Sequence, residues 1–182
     1  NGTLHLIGLV SPGNVHASQE HLHTLLDFCK RENYTNVAIH AFLDGRDAIY
    51  NSGQQFIAEL EAKITQVGVG KIASLSGRYY AMDRDKRWER TKKAYDAIVQ
   101  RSGESFASAV AVVEHSYQQN VTDEFIVPAL VGDKNDASLR IQDGDCIICF
   151  NFRADRMRQI VTALVTPGFS GFDRGTPLKD LN

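Results

Sequence analysis

Apolar residues in this chain fall into two patterns, short unbroken runs and spaced stripes, which take turns along its length. Leu4–Val10, Asn36–Phe42, Lys71–Ser76 and Cys146–Phe150 are short runs bounded by turn-forming residues, the mark of buried strands. Ser18–Arg31 places Leu22, Leu25, Leu26 and Cys29 on one helical stripe, with Ser18 as its N-cap. Ser52–Val67 does the same with Phe56, Ile57, Leu60 and Ile64. Lys86–Arg101 predicts a helix that packs Trp88, Tyr95, Ile98 and Val99. Phe106–Gln119 predicts another with an alanine and valine face, and Asp155–Val165 a last one. Val121–Val131 reads as irregular or extended, and Pro128 argues against a central strand there. Ala137–Asp145 is a turn-rich connection. Strand–helix alternation of this kind implies an α/β fold: a predominantly parallel sheet with helices on both faces, in three layers. Residues 1–165 are expected to form one domain. The stretch 166–182, with Pro167, Gly168, Gly171, Gly175 and Pro177, reads as a loop or linker.

Composition narrows the possibilities without naming a function. With 43% hydrophobic and 23% charged residues, the 182-residue chain is ordinary for a soluble globular protein. A net charge of −2 argues against a generic nucleic-acid binder. No apolar run approaches a membrane span, and no basic-then-apolar leader opens the chain, so the cytoplasm is the expected location. The Asn1-Gly-Thr start reads equally as a cut boundary and as a natural terminus. Cys146 and Cys149 form a Cys-x-x-Cys spacing, but inside an apolar strand-like run. Redox and zinc pairs sit at turns or helix starts, so these cysteines and Cys29 are expected to be reduced core residues.

Candidate chemistry emerges from where the loops fall. His16, Arg46, Asp47, Arg78, Arg84, Arg153 and Arg156 each lie at or just beyond the carboxyl end of a strand-like run. Parallel strands point one way, so these loops can converge on one sheet edge, where ligands of open α/β sheets settle. Guanidinium forks grip carboxylates and phosphates through paired hydrogen bonds. Arg78 and Arg84 are expected to face solvent at the end of their strand. Arg153 and Arg156, three apart at a helix start, put two cations at the positive end of a helix dipole, an arrangement that a bound anion would offset. Taken one at a time, each arginine reads equally as a surface charge and His16 as a loop histidine. Asp44 and Gly45 are turn residues. Asp155 reads as a cap partner and Arg158 as a solvated face residue. His21, His23, His40 and His115 read as structural.

Longer segments go further. Leu4–His16 (LHLIGLVSPGNVH), Val37–Asp47 (VAIHAFLDGRD), Gly70–Trp88 (GKIASLSGRYYAMDRDKRW) and Phe150–Arg156 (FNFRADR) occur in this order along the chain. Together they resemble the cofactor-independent (2,3-bisphosphoglycerate-independent) phosphoglycerate mutases, over nearly the whole length. The resemblance implies one domain of a two-domain glycolytic and gluconeogenic isomerase that interconverts 3- and 2-phosphoglycerate. This would be the inserted, substrate-binding domain. The serine nucleophile and two divalent metal ions, usually manganese, would belong to a phosphatase-like domain of the same polypeptide. No nucleophile turn and no metal-binding Asp/His segment is present here, so no metal ligand or cofactor is assigned to this chain and in isolation it is expected to be inactive. The resemblance further implies that His16, Arg46, Asp47, Arg78, Arg84, Arg153 and Arg156 bind substrate, that Asp47 and His16 handle protons, and that the parent is a monomer.

The sequence departs from the family at two places. Pro12 and Asn14 stand where an acidic residue and a glycine are usual, and Ala48-Ile49-Tyr50 replaces a proline pair. Asparagine tolerates left-handed backbone better than most residues, so the His16 turn is expected to survive. Two other readings stay open on the residues alone: a non-catalytic module that binds a phosphorylated ligand, and a structural α/β domain.

Overall fold

The computed structural model describes residues 2–182. Its centre is a sheet of six strands: β1 (Leu4–Leu9), β2 (Val37–Leu43), β3 (Lys71–Gly77), β4 (Ser105–Phe106), β5 (Ala129–Val131) and β6 (Cys146–Cys149), in the order β4-β5-β3-β2-β1-β6. β6, β1, β2 and β3 run parallel, and β5 pairs antiparallel with β3. Every residue of β2 is buried, so helices cover both faces as the apolar run requires. Helices α1 (Gln19–Arg31) and α2 (Gly53–Val67) pack together, and α2 packs on α5 (Ala109–Gln118). α4 (Trp88–Tyr95) packs with α6 (Arg158–Val165), and the short α3 (Arg78–Ala81) joins β3 to α4. The expected inward stripes hold: Leu22, Leu26 and Cys29 of α1, and Ile57 and Leu60 of α2, are buried in one core.

Several boundaries differ from the sequence reading, each for a local reason. The predicted helix 106–119 begins at Ala109, because Ser108 caps it by accepting from the Ala111 amide at 3.1 Å, and Ser105–Phe106 is a strand. The helix predicted from Lys86 begins at Trp88, and its last turn, Asp96–Gln100, is π-helical. Ser18 is the N-cap of α1, but its side chain makes no capping bond. β5 is an interior strand, paired with β3 on one side and β4 on the other. Pro128 is compatible with this because it precedes the strand, where no ladder N–H is required. Cys146 and Cys149 are half-buried rather than core residues, since β6 lies at the sheet edge. All three cysteines are free, and burial pushes the Cys149 thiol up to about 11, away from reactive thiolate chemistry.

The stretch 166–182 contains no helix or strand, yet it is fastened to the body. Phe169 and Phe172 pack edge-on against Trp88, and Phe172 also against Tyr95. The buried Arg174 donates to the carbonyls of Ala163 (2.7 Å) and Thr166 (3.1 Å). The Ile147 amide donates to the Asn182 carbonyl at 2.8 Å, which covers part of the outer edge of β6.

A buried polar chain crosses the middle of the sheet. Asp145 Oδ2 lies 3.1 Å from His5 Nε2, His5 Nδ1 lies 3.0 Å from His40 Nε2, and His40 Nδ1 lies 2.8 Å from Ser74 Oγ. A carboxylate only accepts, so His5 donates from Nε2, its Nδ1 accepts from His40, and His40 Nδ1 accepts from the Ser74 hydroxyl. This is a fully satisfied network of neutral imidazoles. Burial holds His5 below its ordinary pKa of 6.5 despite Asp145. Burial, then the charges of His5 and Arg101, hold His40 well below. An unfolded chain therefore binds protons here that the folded chain refuses. Stability contributed by these histidines is complete above pH 6.5 and falls as pH drops below it. Each histidine can contribute a slope of up to about 1.4 kcal/mol per pH unit. Melting temperatures are expected to fall steadily from pH 6.5 to about 5, before ordinary carboxylates titrate, and less steeply in His40→Gln. A wild-type melting temperature that is flat over that range would refute this account.

Candidate anion site at the carboxyl edge of the sheet

Four loops leave the carboxyl ends of β1, β2, β3 and β6 on one edge, and a fifth, the turn Asp123–Phe125, reaches the same edge before β5. Gly77 shows how closely that turn approaches: a Cβ there would lie 2.2 Å from the Glu124 carbonyl oxygen, a position only glycine can occupy.

Asp44 organises the loop after β2. Its Oδ1 accepts the amides of Arg46 (3.2 Å) and Asp47 (3.1 Å), and Gly45 takes the left-handed φ of 67° that the turn needs. Its Oδ2 accepts from Ser11 Oγ at 2.7 Å, which ties this loop to the one after β1. In that loop Asn14 adopts φ 54°, so asparagine does here what glycine would.

Arg78 differs from its sequence reading. It was expected to face solvent, but it is 4% exposed, with Nη1 lying 2.6 Å from Asp44 Oδ1 and 2.6 Å from Asp47 Oδ2. As the first residue of α3, directly after β3, it points back across the sheet end instead of outward. Burial pushes the Asp44 carboxyl up, but hydrogen bonds from Ser11, the Asp47 amide and Arg78 outweigh it and hold the group below its ordinary value.

His16 is also buried. It lies between two carboxylates: Nε2 is 3.8 Å from Asp47 Oδ2, and Nδ1 is 3.6 Å from Asp155 Oδ1. Burial, and then the Arg78 charge, lower its pKa against the opposing pull of Asp155 and Asp47.

Arg84 and Arg153 meet on Asp155. Arg84 Nη1 donates to Oδ2 at 2.8 Å, and Arg153 approaches both oxygens, Nη2 at 3.2 Å and Nε at 3.0 Å. The 83–87 turn presents Arg84, because Asp83 Oδ2 accepts the amides of Asp85 and Arg87, each at 3.0 Å. α6 begins at Arg158, so Arg153 and Arg156 lie in the loop and turn before it and not at a helix start. The dipole argument made for them therefore does not apply: the chain turns at Ala154–Met157 before the helix forms. Arg156 separates from Arg153, donating to the Met82 carbonyl at 3.2 Å. Burial, and then the charges of Arg78, Arg84 and Arg46, lower its pKa, so three other guanidiniums lie within electrostatic reach of Arg156.

A cleft of about 270 Å³ is lined by Arg46, Arg78, Arg87, Arg90 and Arg156, with Tyr79, Phe125 and Glu124. Arg46 leans toward Glu124 (3.3 Å) at its rim. Arg90 stacks over the Tyr79 ring at 3.7 Å. The candidate residues thus form two adjoining groups. Arg46, Arg78 and Arg156 face the cleft; His16, Arg84, Arg153 and Asp155 lie to one side, and Asp47 bridges Arg78 and His16. A larger hollow of about 590 Å³, between Val99, Ile141 and Leu178, contains none of these residues, and its Arg174 is spent on backbone carbonyls.

Most of these arginines meet a carboxylate, Asp83 and Asp85 of the cleft wall among them, but each guanidinium has further N–H donors, and a cluster of such forks suits a small polyanion. The family described as "BPG-independent PGAM N-terminus" matches residues 1–181. The chain belongs to that family. It is 51% identical over 174 residues to a 2,3-bisphosphoglycerate-independent phosphoglycerate mutase of Clostridium perfringens, covering 96% of this chain and 34% of that protein. A protein of the same name from Clostridium botulinum is 47% identical over 176 residues, covering 97% of this chain and 35% of its own length. Crystal structures of Leishmania mexicana phosphoglycerate mutase at low cobalt concentration include a chain that superposes with a TM-score of 0.92 at 33% identity, over 100% of this chain and 35% of that one. The chain thus spans about a third of the length of these relatives.

Family membership accounts for the order of the four matched segments; the structure adds partners that the sequence hid. Asp155 was read as a cap partner, yet it gathers three candidate residues from three loops. Glu124 and Asp123 lie in a stretch read as irregular. Asp123, 1% exposed, accepts from the Gly53 amide (2.8 Å) and the Tyr117 hydroxyl, and so fixes the start of α2 beside the site. The only signal for Asp155 was its position between two arginines, and Asp123 had none. Among the described residues, no three His, Cys, Asp or Glu side chains converge as a metal site. The carboxylates Asp44, Asp47 and Asp155 are all engaged by arginines. The divalent ions implied by the family resemblance do not fit this donor set.

Proposed function

We propose that this chain is the substrate-binding domain of a 2,3-bisphosphoglycerate-independent phosphoglycerate mutase, an isomerase of glycolysis and gluconeogenesis, and that its cationic edge holds 3- and 2-phosphoglycerate. The observation that carries the reading is the convergence of guanidiniums from separate loops beside His16 and Asp47, in a chain of this family. In this reading residues 1–165 are the domain body, and 166–182 lead toward the rest of a monomeric, cytoplasmic polypeptide. That remainder would supply the serine that carries the phosphoryl group as phosphoserine, and two manganese ions that would activate it.

Within this chain the work divides by chemistry. Arginines cannot lose their charge, so Arg46, Arg84, Arg153 and Arg156 can hold a phosphorylated glycerate and then the bare glycerate while the phosphoryl group is away. Arg78, committed to Asp44 and Asp47, holds the proton-handling carboxylate in place and contributes its remaining donors to the cleft. Asp47 exchanges protons with the 2- and 3-hydroxyls, and the neighbouring His16 stabilises charge or relays a proton. Closure of the other domain over the edge would complete the site.

The test is an NMR titration of the chain with 3-phosphoglycerate. Amides around Arg84, Arg153 and Arg156 should shift together, with weak affinity that falls with salt, because charges at an open edge are screened over about 8 Å at physiological ionic strength. Shifts confined to another surface, or none at millimolar ligand, would overturn the assignment.

A further inference from the structure

Asp155, like Asp44, touches residues of three different loops at this edge: His16 from the β1 loop, Arg84 from the β3 side and Arg153 from its own. The groups that face His16 are Asp155 at Nδ1, Asp47 at Nε2, and the cations Arg78 and Arg153. His16 Nδ1 and Asp155 Oδ1 are both buried and face each other across 3.6 Å; Nδ1 has no hydrogen-bond partner, and Oδ1 has only the ion-pair contact with Arg153 Nε at 3.0 Å. An unpartnered ring nitrogen facing a carboxylate oxygen that has a second lone pair describes a bond one small shift from closing. Catalytic hydrogen bonds in unliganded sites are commonly long and tighten when ligand binds. The backbone supports the pairing, because the Arg153 amide donates to the His16 carbonyl at 3.2 Å and fixes the two loops to each other.

We propose that Asp155 is the positioning residue of this site: its Oδ1 accepts the Nδ1–H of His16, which fixes the imidazole tautomer and turns the Nε2 lone pair toward Asp47, while its Oδ2 anchors Arg84. The consequence is a directional proton path. Nδ1 keeps its proton on Asp155, so only Nε2 exchanges protons, on the side where Asp47 lies. A carboxylate that merely filled the arginine forks in place of a substrate would not need to meet the histidine, whereas Asp155 Oδ1 faces it as well as Arg153. Orientation of a histidine through its second ring nitrogen is the general means by which such tautomers are set.

The ring nitrogens can be read directly. In the chain labelled with ¹⁵N-histidine, neutral His16 should carry its proton on Nδ1. In Asp155→Ala it should move largely to Nε2, and the His16 titration midpoint should fall as a neighbouring negative charge is lost. Asp155→Asn, whose amide oxygen still accepts, should keep more of the Nδ1–H form. Melting curves identify any variant that fails to fold, and in that case Asp155→Asn carries the comparison. A wild-type His16 protonated on Nε2, or a tautomer indifferent to both substitutions, overturns the proposal.

The effect on turnover rests on the mutase reading. In the full-length protein Asp155→Ala should lower kcat by about ten- to a hundredfold, a share of what general acid–base catalysis contributes, with a smaller change in KM. A full-length protein with no mutase activity, but with the tautomer set by Asp155, would refute the mutase reading and leave the positioning role standing. Normal kcat in an active enzyme whose tautomer has moved would refute the catalytic consequence.

Discussion

Arg78→Ala is expected to lower the melting temperature of the chain more than any other single substitution at the sheet edge. Arg78 is 4% exposed and, among the described residues, is the only cation bonded to Asp44, itself 3% exposed. Removing one partner of a buried pair leaves an uncompensated charge and costs about 3–5 kcal/mol. For a protein of this size that corresponds to roughly 6–20 °C in Tm. The pH dependence identifies the cause. Asp44 now lies below its ordinary pKa, so its contribution is present above about pH 3.8 and is lost as pH falls through the lowered folded value. Without Arg78, burial dominates and the Asp44 pKa rises above that value, so the deficit relative to wild type narrows as the solution is made mildly acidic. The double variant Arg78→Ala/Asp44→Asn should regain much of the loss at neutral pH, because no buried charge then lacks a partner. Thermal melts of the three proteins from pH 4 to 8 test this; an Arg78→Ala melt within about 2 °C of wild type, less than the shift from 1 kcal/mol, would refute it.

On the mutase reading proposed above, Asp47→Asn is expected to depress turnover of the full-length protein by about 10²–10⁴-fold, the range that general acid–base catalysis supplies. Asparagine keeps the shape and can still accept from Arg78, but it cannot carry a proton. KM should change much less than kcat, since the arginines proposed to hold the anion remain. Folding should survive, because Asp44 still pairs with Arg78 and the Asp47 side chain is 25% exposed. Steady-state kinetics beside melting curves distinguish the cases. A rise in KM with kcat unchanged would place Asp47 in the grip rather than in proton transfer.

Both predictions depend on one loop, Asp44–Asp47, that reads in sequence as an ordinary turn. It is a turn, and Asp44 makes it one by accepting two amides of its own loop. The same carboxylate is also the buried counter-ion of an arginine 34 residues further along. Local chemistry was visible; its second use was not.

The sequence by itself determined the layers of this protein and the edge that carries its charge. Runs such as Val37–Leu43 can be buried only in a sheet covered on both faces, and parallel strands send all their following loops to one end. That allowed His16, Arg46, Asp47, Arg78, Arg84, Arg153 and Arg156 to converge on one edge before any distance was known. Tertiary structure alone decided how they divide. Arg78 faces inward because two carboxylates from a neighbouring loop hold it, while Arg153 and Arg84 share Asp155 across the sheet. It also decided that His5 and His40, two core positions on adjacent strands, meet in a relay ending on Asp145, because the parallel register sets His5 beside Ala38 and only the side chains reach diagonally. Periodicity reports which face of an element is apolar, a property each residue carries alone. Charge pairing is a property of two residues from different elements, and the chain must fold before the second one is present.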